Sequence, residues 1–81
     1  MRVRVRLFAR LREIAGSAEI VRDIAPGATL ASVWRQLAAE YPAFEPYGRS
    51  IGSAVNADYA RMDTEIRDGD EIAFLPPVSG G

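Results

Sequence analysis

The chain contains no cysteine, no histidine and no lysine. Without cysteine it can form no disulfide, no thiolate metal site and no side-chain persulfide, which fits a reducing cytoplasmic setting. Without histidine it lacks the commonest general base and a usual zinc ligand, so an independent active site is not expected. All ten basic residues are arginine, so no side-chain amine can accept a carboxyl group through an isopeptide bond. Apart from its N-terminal amine, the chain can donate a terminus but hardly accept one. Long apolar runs are missing too. Charge alternates with apolar residues from Met1 to Ala15, and no stretch approaches the roughly 18–20 apolar residues a membrane span needs, so neither a signal peptide nor a membrane partner is expected. A net charge of −1 argues against nucleic acid as a partner, for which a strongly basic domain is expected.

At 81 residues the chain is one domain, expected to bury about 60% of its unfolded surface in a single small core. The distinctive part is its end, Pro76-Pro77-Val78-Ser79-Gly80-Gly81. Each proline fixes φ near −65° and lacks an N–H, so strand pairing should stop at Pro76 and the chain should leave the sheet as a stiff spacer. Gly80 and Gly81 have no Cβ and can enter a channel too narrow for side chains. The six residues reach at most about 20 Å when extended, enough to enter a partner's active site. With Gly81 taken as the native terminus, the division expected is a folded domain over 1–75 and an extended tail over 76–81, with the chemistry on the last main-chain carbon. A frayed end is the plainer alternative.

Val3, Val5 and Leu7 alternate with Arg2, Arg4 and Arg6, so Arg2 to Phe8 reads as a strand with one buried face and an arginine-bearing, solvated one. Ala9 to Gly16 reads as a short helical turn, with Leu11 and Ile14 three apart and Gly16 as terminator. A second strand over about Ala18 to Ile24 should form a hairpin with the first. Adjacent Ile20 and Val21 leave its buried face open. After a Pro26-Gly27-Ala28 turn, Thr29 can cap a helix over Leu30 to Glu40, whose Leu30, Val33, Trp34, Leu37, Ala38 and Tyr41 recur at helical spacing until Pro42 stops it. Those residues, Trp34 included, read as core. Pro42 to Gly52 reads as an irregular surface loop from which Phe44 or Tyr47 returns to the core. Ser53 to Asn56 reads as a short strand, Ala57-Asp58 as a turn and Tyr59 to Met62 as a return strand. Asp68-Gly69-Asp70 is a turn, with too few ligands for calcium. It opens a last strand, Glu71 to Leu75, with Ile72 and Phe74 on one face. Placing the first and last strands side by side in parallel gives an α+β fold, a mixed sheet with one main helix packed across one face.

Three segments carry a resemblance: Phe8-Ala9-Arg10-Leu11-Arg12-Glu13-Ile14-Ala15-Gly16, Ala54-Val55-Asn56, and the run from Asp68 to Gly81. Over its full length the chain resembles the MoaD-type small subunits of molybdopterin synthase, within the MoaD/ThiS sulfur-carrier family. The resemblance implies a ubiquitin-like β-grasp fold and a cytoplasmic protein substrate rather than an enzyme. It implies no resident cofactor. A ubiquitin-activating-like adenylyltransferase would use ATP, with Mg, to adenylate Gly81, and a persulfide donor would convert it to a thiocarboxylate. The large catalytic subunit would then use that sulfur on a cyclic pyranopterin precursor in molybdenum cofactor biosynthesis, within a heterotetramer. Gly81 is thus the expected reacting residue and Gly80 its stem. Sibling carriers for thiamine or tRNA thiolation, and a ubiquitin-like conjugation or interaction module, share the fold and the ending.

If Val3, Val5, Leu7, Ile72 and Phe74 face the helix, Phe8 and Leu75 should lie on the opposite face at the root of the tail. Apolar groups exposed there suggest a partner patch, which Tyr59 and Met62 could join. Pro76, Pro77, Val78 and Ser79 would be gripped beside it. The alternative makes Phe8 and Leu75 edge-of-core residues covered by the Pro42 to Gly52 loop. Arg12 could contact the partner or pair with a surface carboxylate. Leu75 departs from the pattern, because the family often has an aromatic residue there.

Overall fold

A computed structural model describes residues 1–77. The element order is β1 (Arg2–Leu7), α1 (Ala9–Ala15), β2 (Glu19–Asp23), α2 (Leu30–Glu40), a 3-10 helix (Pro42–Tyr47), β3 (Gly52–Val55), β4 (Asp58–Tyr59) and β5 (Glu71–Leu75). The strands form one sheet in the order β2-β1-β5-β3-β4. β1 pairs antiparallel with β2 and parallel with β5, with Val5 opposite Ile72 and Leu7 opposite Phe74. This is the mixed sheet expected from the alternation in the first and last strands.

The pleat sorts the side chains. Val3, Val5, Leu7, Ile72 and Phe74 are buried on one face, under Leu30, Val33, Trp34 and Leu37 of α2. On β2, Ile20 packs against this core and Val21 is 46% exposed on the other face, which resolves the adjacent pair. The arginines of β1 stand on the solvated face among carboxylates. Arg4 meets Glu71 at 3.3 Å and Glu19 at 3.9 Å, and Arg6 meets Glu71 at 3.8 Å.

Both helices end as their sequences direct. Gly16 closes α1 with φ 74° and donates its N–H to the Arg12 carbonyl, a left-handed cap that glycine adopts without penalty. At the start of α2 the Thr29 hydroxyl accepts from the Ser32 N–H, and the Ser32 hydroxyl accepts from the Thr29 N–H.

Three expectations are corrected. Pro42–Tyr47 is a 3-10 helix, a form that suits a proline near its start because that N–H needs no helical partner. Phe44 is the residue that returns to the core, fully buried and stacked on Trp34 with ring centroids 5.4 Å apart; Tyr47 is only partly buried against the same core. The turn after β3 is Asn56-Ala57, with φ 50° and 73°, so Asp58 already belongs to the return strand. That strand ends at Tyr59 rather than Met62 because the following backbone serves α2. The Met62 and Thr64 carbonyls accept the N–H groups of Ala31 and Leu30 at 2.8 and 3.0 Å, donors that a helix start leaves without internal partners. Ile66, brought in by its N–H bond to the Ala28 carbonyl, is buried in the core. Among the described residues no helix is long and apolar enough to cross a membrane.

Candidate functional site at the root of the tail

β5 runs along the middle of the sheet and ends at Leu75, so Pro76 and Pro77 leave the fold between β1 and β3. On the face away from α2, Ala73 lies opposite Ala54, and Ala54 opposite Tyr59. These small residues floor a depression of about 260 Å³ walled by Phe8, Leu75, Tyr59 and Ala57, with Arg6 and Glu71 at its charged border.

Phe8 reaches this place because the chain changes course there. Its backbone is still extended (φ −126°, ψ 156°), so its side chain continues the outward alternation of β1. Its carbonyl accepts from the Leu11 and Arg12 N–H groups, starting α1. Leu11 then turns inward and is fully buried, while Phe8 stays 36% exposed, with the Arg6 guanidinium 5.5 Å from its ring centroid. Tyr59 is 87% exposed and Leu75 half-buried.

The structure thus brings Phe8, Tyr59 and Leu75 together. Met62 does not join them. It packs against the core, where its backbone caps α2. The 3-10 helix does not cover Phe8 or Leu75 either, because Phe44 holds it against Trp34 and Tyr41 on the helix side. Arg12 is exposed, with no carboxylate within ion-pair distance among the described residues. Val78, Ser79, Gly80 and Gly81 lie outside the described residues.

Two lining residues are not distinguished by sequence alone, where Ala54 and Ala57 read only as strand and turn. The signal that could have found them is the period-two pattern carried across the hairpin, which puts Ala54 and Ala73 on one face.

Polar groups under the depression hold its shape. The Asn56 N–H donates to the Glu71 carbonyl at 2.8 Å, and the Glu71 N–H donates to Asn56 Oδ1 at 3.0 Å. Asn56 Nδ2 donates to Asp70 Oδ1, whose other oxygen accepts the Arg67 N–H, while Asp68 accepts the Arg2 N–H. Asp68 and Asp70 are therefore turn formers. Among the described residues no group of three or more metal-ligating side chains exists. The depression can bind an apolar surface.

A mixed sheet crossed by one main helix, with its middle strand ending at a proline pair beside an apolar depression, is the ubiquitin-like β-grasp fold. Residues 5–81 match the ThiS family, and the chain belongs to that family. It is 37% identical to the molybdopterin synthase sulfur carrier subunit of Chlamydomonas reinhardtii, with 100% of each chain covered. The crystal structure of small archaeal modifier protein 1 from Haloferax volcanii has the same fold, with a TM-score of 0.84, 31% identity and 100% of both chains covered. The small chain in a complex of subunits 1 and 2 of the molybdopterin-converting factor from Helicobacter pylori matches with a TM-score of 0.69 and 26% identity, again over 100% of both chains.

Proposed function

We propose that this chain is a sulfur carrier that acts as the small subunit of a molybdopterin synthase. The observation that carries the reading is the launch of the tail. The family match runs through the final Gly-Gly, and β5 ends at the centre of the sheet beside an apolar depression on the open face, with Pro76 and Pro77 following it.

The chemistry follows from the carboxyl group. An α-carboxylate with a pKa near 3.3–3.7 is ionised at neutral pH and resists nucleophilic attack. An adenylating partner therefore joins the Gly81 carboxylate to AMP from ATP, with Mg, releasing pyrophosphate. The outer sulfur of a persulfide displaces AMP to give an acyl disulfide, and a thiol on the sulfur donor then attacks the S–S bond, forming a donor disulfide and releasing a thiocarboxylate. That sulfur is anionic at pH 7, soft and nucleophilic, and attacks the pterin precursor in the large subunit. Hydrolysis of the acyl link leaves sulfur on the product and restores Gly81. The general acids and bases belong to the partners, which is why this chain can lack histidine and cysteine. Phe8, Tyr59 and Leu75 form the docking surface, and Pro76 to Ser79 are held in the channel leading to the reaction site. The Helicobacter pylori complex, in which a similar chain is bound to its subunit 2, supports a large-subunit partner.

A second reading is favoured by the likeness to small archaeal modifier protein 1: the activated terminus would form an amide with a target amine. Intact-mass spectrometry separates the two. The protein is incubated with an activating enzyme, Mg-ATP and a sulfur source, and the C-terminal peptide should gain the mass difference between oxygen and sulfur. If a known carrier is loaded under the same conditions and this chain is not, the sulfur-carrier reading fails. Adding large subunit and pterin precursor then distinguishes molybdopterin synthesis from thiamine or tRNA thiolation, in which case no dithiolene product forms.

A further inference from the structure

On the helix side of the sheet, opposite the tail-root depression, α2 and the 3-10 helix enclose a second hollow of about 570 Å³. Trp34 lies in its floor, Ala38 and Ala39 form one wall, and Arg35 and Arg49 stand at its sides. Six of the ten arginines, Arg2, Arg4, Arg6, Arg10, Arg22 and Arg61, have a carboxylate partner, and among the described residues Arg12 and Arg67 stand without one, apart from each other in sequence and outside this hollow. Arg35 and Arg49 have none within ion-pair distance among the described residues, although Glu45 lies on the same rim. Two exposed guanidinium groups thus flank one hollow without being neutralised.

The floor adds an independent observation. Trp34 is 7% exposed, its ring stacked on Phe44 and set edge-on to Phe74. Among the described residues no acceptor bonds to its Nε1–H, and since no buried side-chain nitrogen or oxygen there lacks a partner, this donor is open to water. Gly48 explains how that donor stays reachable. Its φ of −58° and ψ of −30° are open to any residue, so conformation does not require glycine there. Space favours it, since a Cβ at position 48 would sit 3.1 Å from Trp34 Nε1 and the indole would have to give by a few tenths of an ångström. The missing side chain leaves the indole N–H uncovered between two cations.

We propose that this hollow is a docking site for a carboxylate side chain on an acidic segment of a partner protein, bound to the face opposite the tail-root depression. The carboxylate accepts from Trp34 Nε1–H, Arg35 and Arg49 supply the opposing charge, and the Ala38–Ala39 wall takes an apolar neighbour. Charge-assisted bonds from arginine to carboxylate are short and directional. Glu45 on the rim and the net charge of −1 weigh against an extended polyanion such as a nucleic acid. Because the two surfaces lie on opposite sides of the sheet, a partner can hold the carrier by its helix while the tail is engaged elsewhere.

The chain has a single tryptophan, so its indole N–H resonance reports the site without ambiguity. The probe is a capped peptide of two glutamates flanked by leucines, titrated at low salt into the full chain. The indole resonance should shift and saturate, while the amide resonances of Tyr59 and Ala73 stay in place. The glutamine version of the peptide should have no effect. The double variant Arg35→Gln/Arg49→Gln, at exposed positions, should weaken binding at least tenfold with an unchanged melting profile, and Gly48→Ala should weaken it as well. A shift that never saturates, that survives in the double variant, or that the glutamine peptide reproduces overturns the proposal. So does tighter binding of inorganic phosphate or a single-stranded oligonucleotide, which would assign the hollow to phosphate instead.

Discussion

The Arg6 guanidinium lies over the Phe8 ring, 5.5 Å from its centroid, and also reaches Glu71 at 3.8 Å. One side chain therefore braces the aromatic wall of the tail-root depression and ties it to β5. Phe8 contributes little to the core at this position, because Leu11 fills the inward site next to it. Phe8→Arg should leave the melting temperature nearly unchanged and weaken binding to a large subunit by roughly 1.5–3 kcal/mol, the range of a central interface anchor. Leu75→Arg should do the same with some loss of stability, since Leu75 is half-buried. Calorimetric titration against the large subunit is the measurement, and wild-type affinity in a folded Phe8→Arg variant would remove Phe8 from the interface.

Ala57 holds φ at 73° in the turn between β3 and β4. A left-handed backbone costs a residue with a Cβ about 1–2 kcal/mol, and glycine avoids this while giving up about 0.5–1 kcal/mol in chain entropy. Two-residue hairpin turns with both φ values positive favour Asn-Gly, and this chain has Asn56-Ala57. Ala57→Gly should therefore raise stability in urea by up to about 1 kcal/mol. Asn56→Ala should lower it by roughly 0.5–1.5 kcal/mol, because the Glu71 N–H and the Asp70 carboxylate both exchange a protein partner for water. A less stable Ala57→Gly protein would mean that the Cβ of Ala57, which lines the depression, contributes more by packing than it costs in strain.

Ile66 marks the limit of what the sequence makes legible. The alternation of β1 and β5, the spacing in α2 and the turns at Gly27 and Gly69 each follow from local rules, and together they dictate the sheet and its helix. Phe8 and Leu75 are placed on the open face by the same period of two. Ile66 sits between a turn and a loop with no periodic neighbour, and it is buried only because residues 62–66 pass the start of α2 and supply carbonyls to its free N–H groups. That relation is tertiary. Met62 departs from its expected place for the same reason, and Ala54 and Ala57 become visible as floor and wall only when β3, β4 and β5 are in register. Ile66→Ala should cost about 2–5 kcal/mol, the range for truncating a fully buried aliphatic side chain. Chemical denaturation checks this; a cost below about 1 kcal/mol would show that the segment over α2 can close the gap.

Arg22 anchors β2 to the end of α2. Its Nε donates to Glu40 Oε1 at 3.0 Å, a second guanidinium nitrogen donates to Glu40 Oε2, and the same group reaches the Tyr41 hydroxyl at 3.3 Å. These hydrogen bonds, aided by the arginine charge and only partly opposed by desolvation, hold the Glu40 carboxyl below the usual glutamate range. A depressed folded-state pKa contributes stability above the unfolded value, near pH 4.3, and that contribution drains away as pH falls through the folded value. Glu40→Gln should therefore destabilise the protein at pH 7 and lose its effect in acid, so that variant and wild type converge as Glu40 is protonated. The size at pH 7 is modest, because Glu40 is 40% exposed and solvent screens the charge. Urea midpoints measured from pH 7 down to pH 3 test the sign. A difference that stays constant across that window would show that Glu40 acts through packing or neutral hydrogen bonding rather than through its charge.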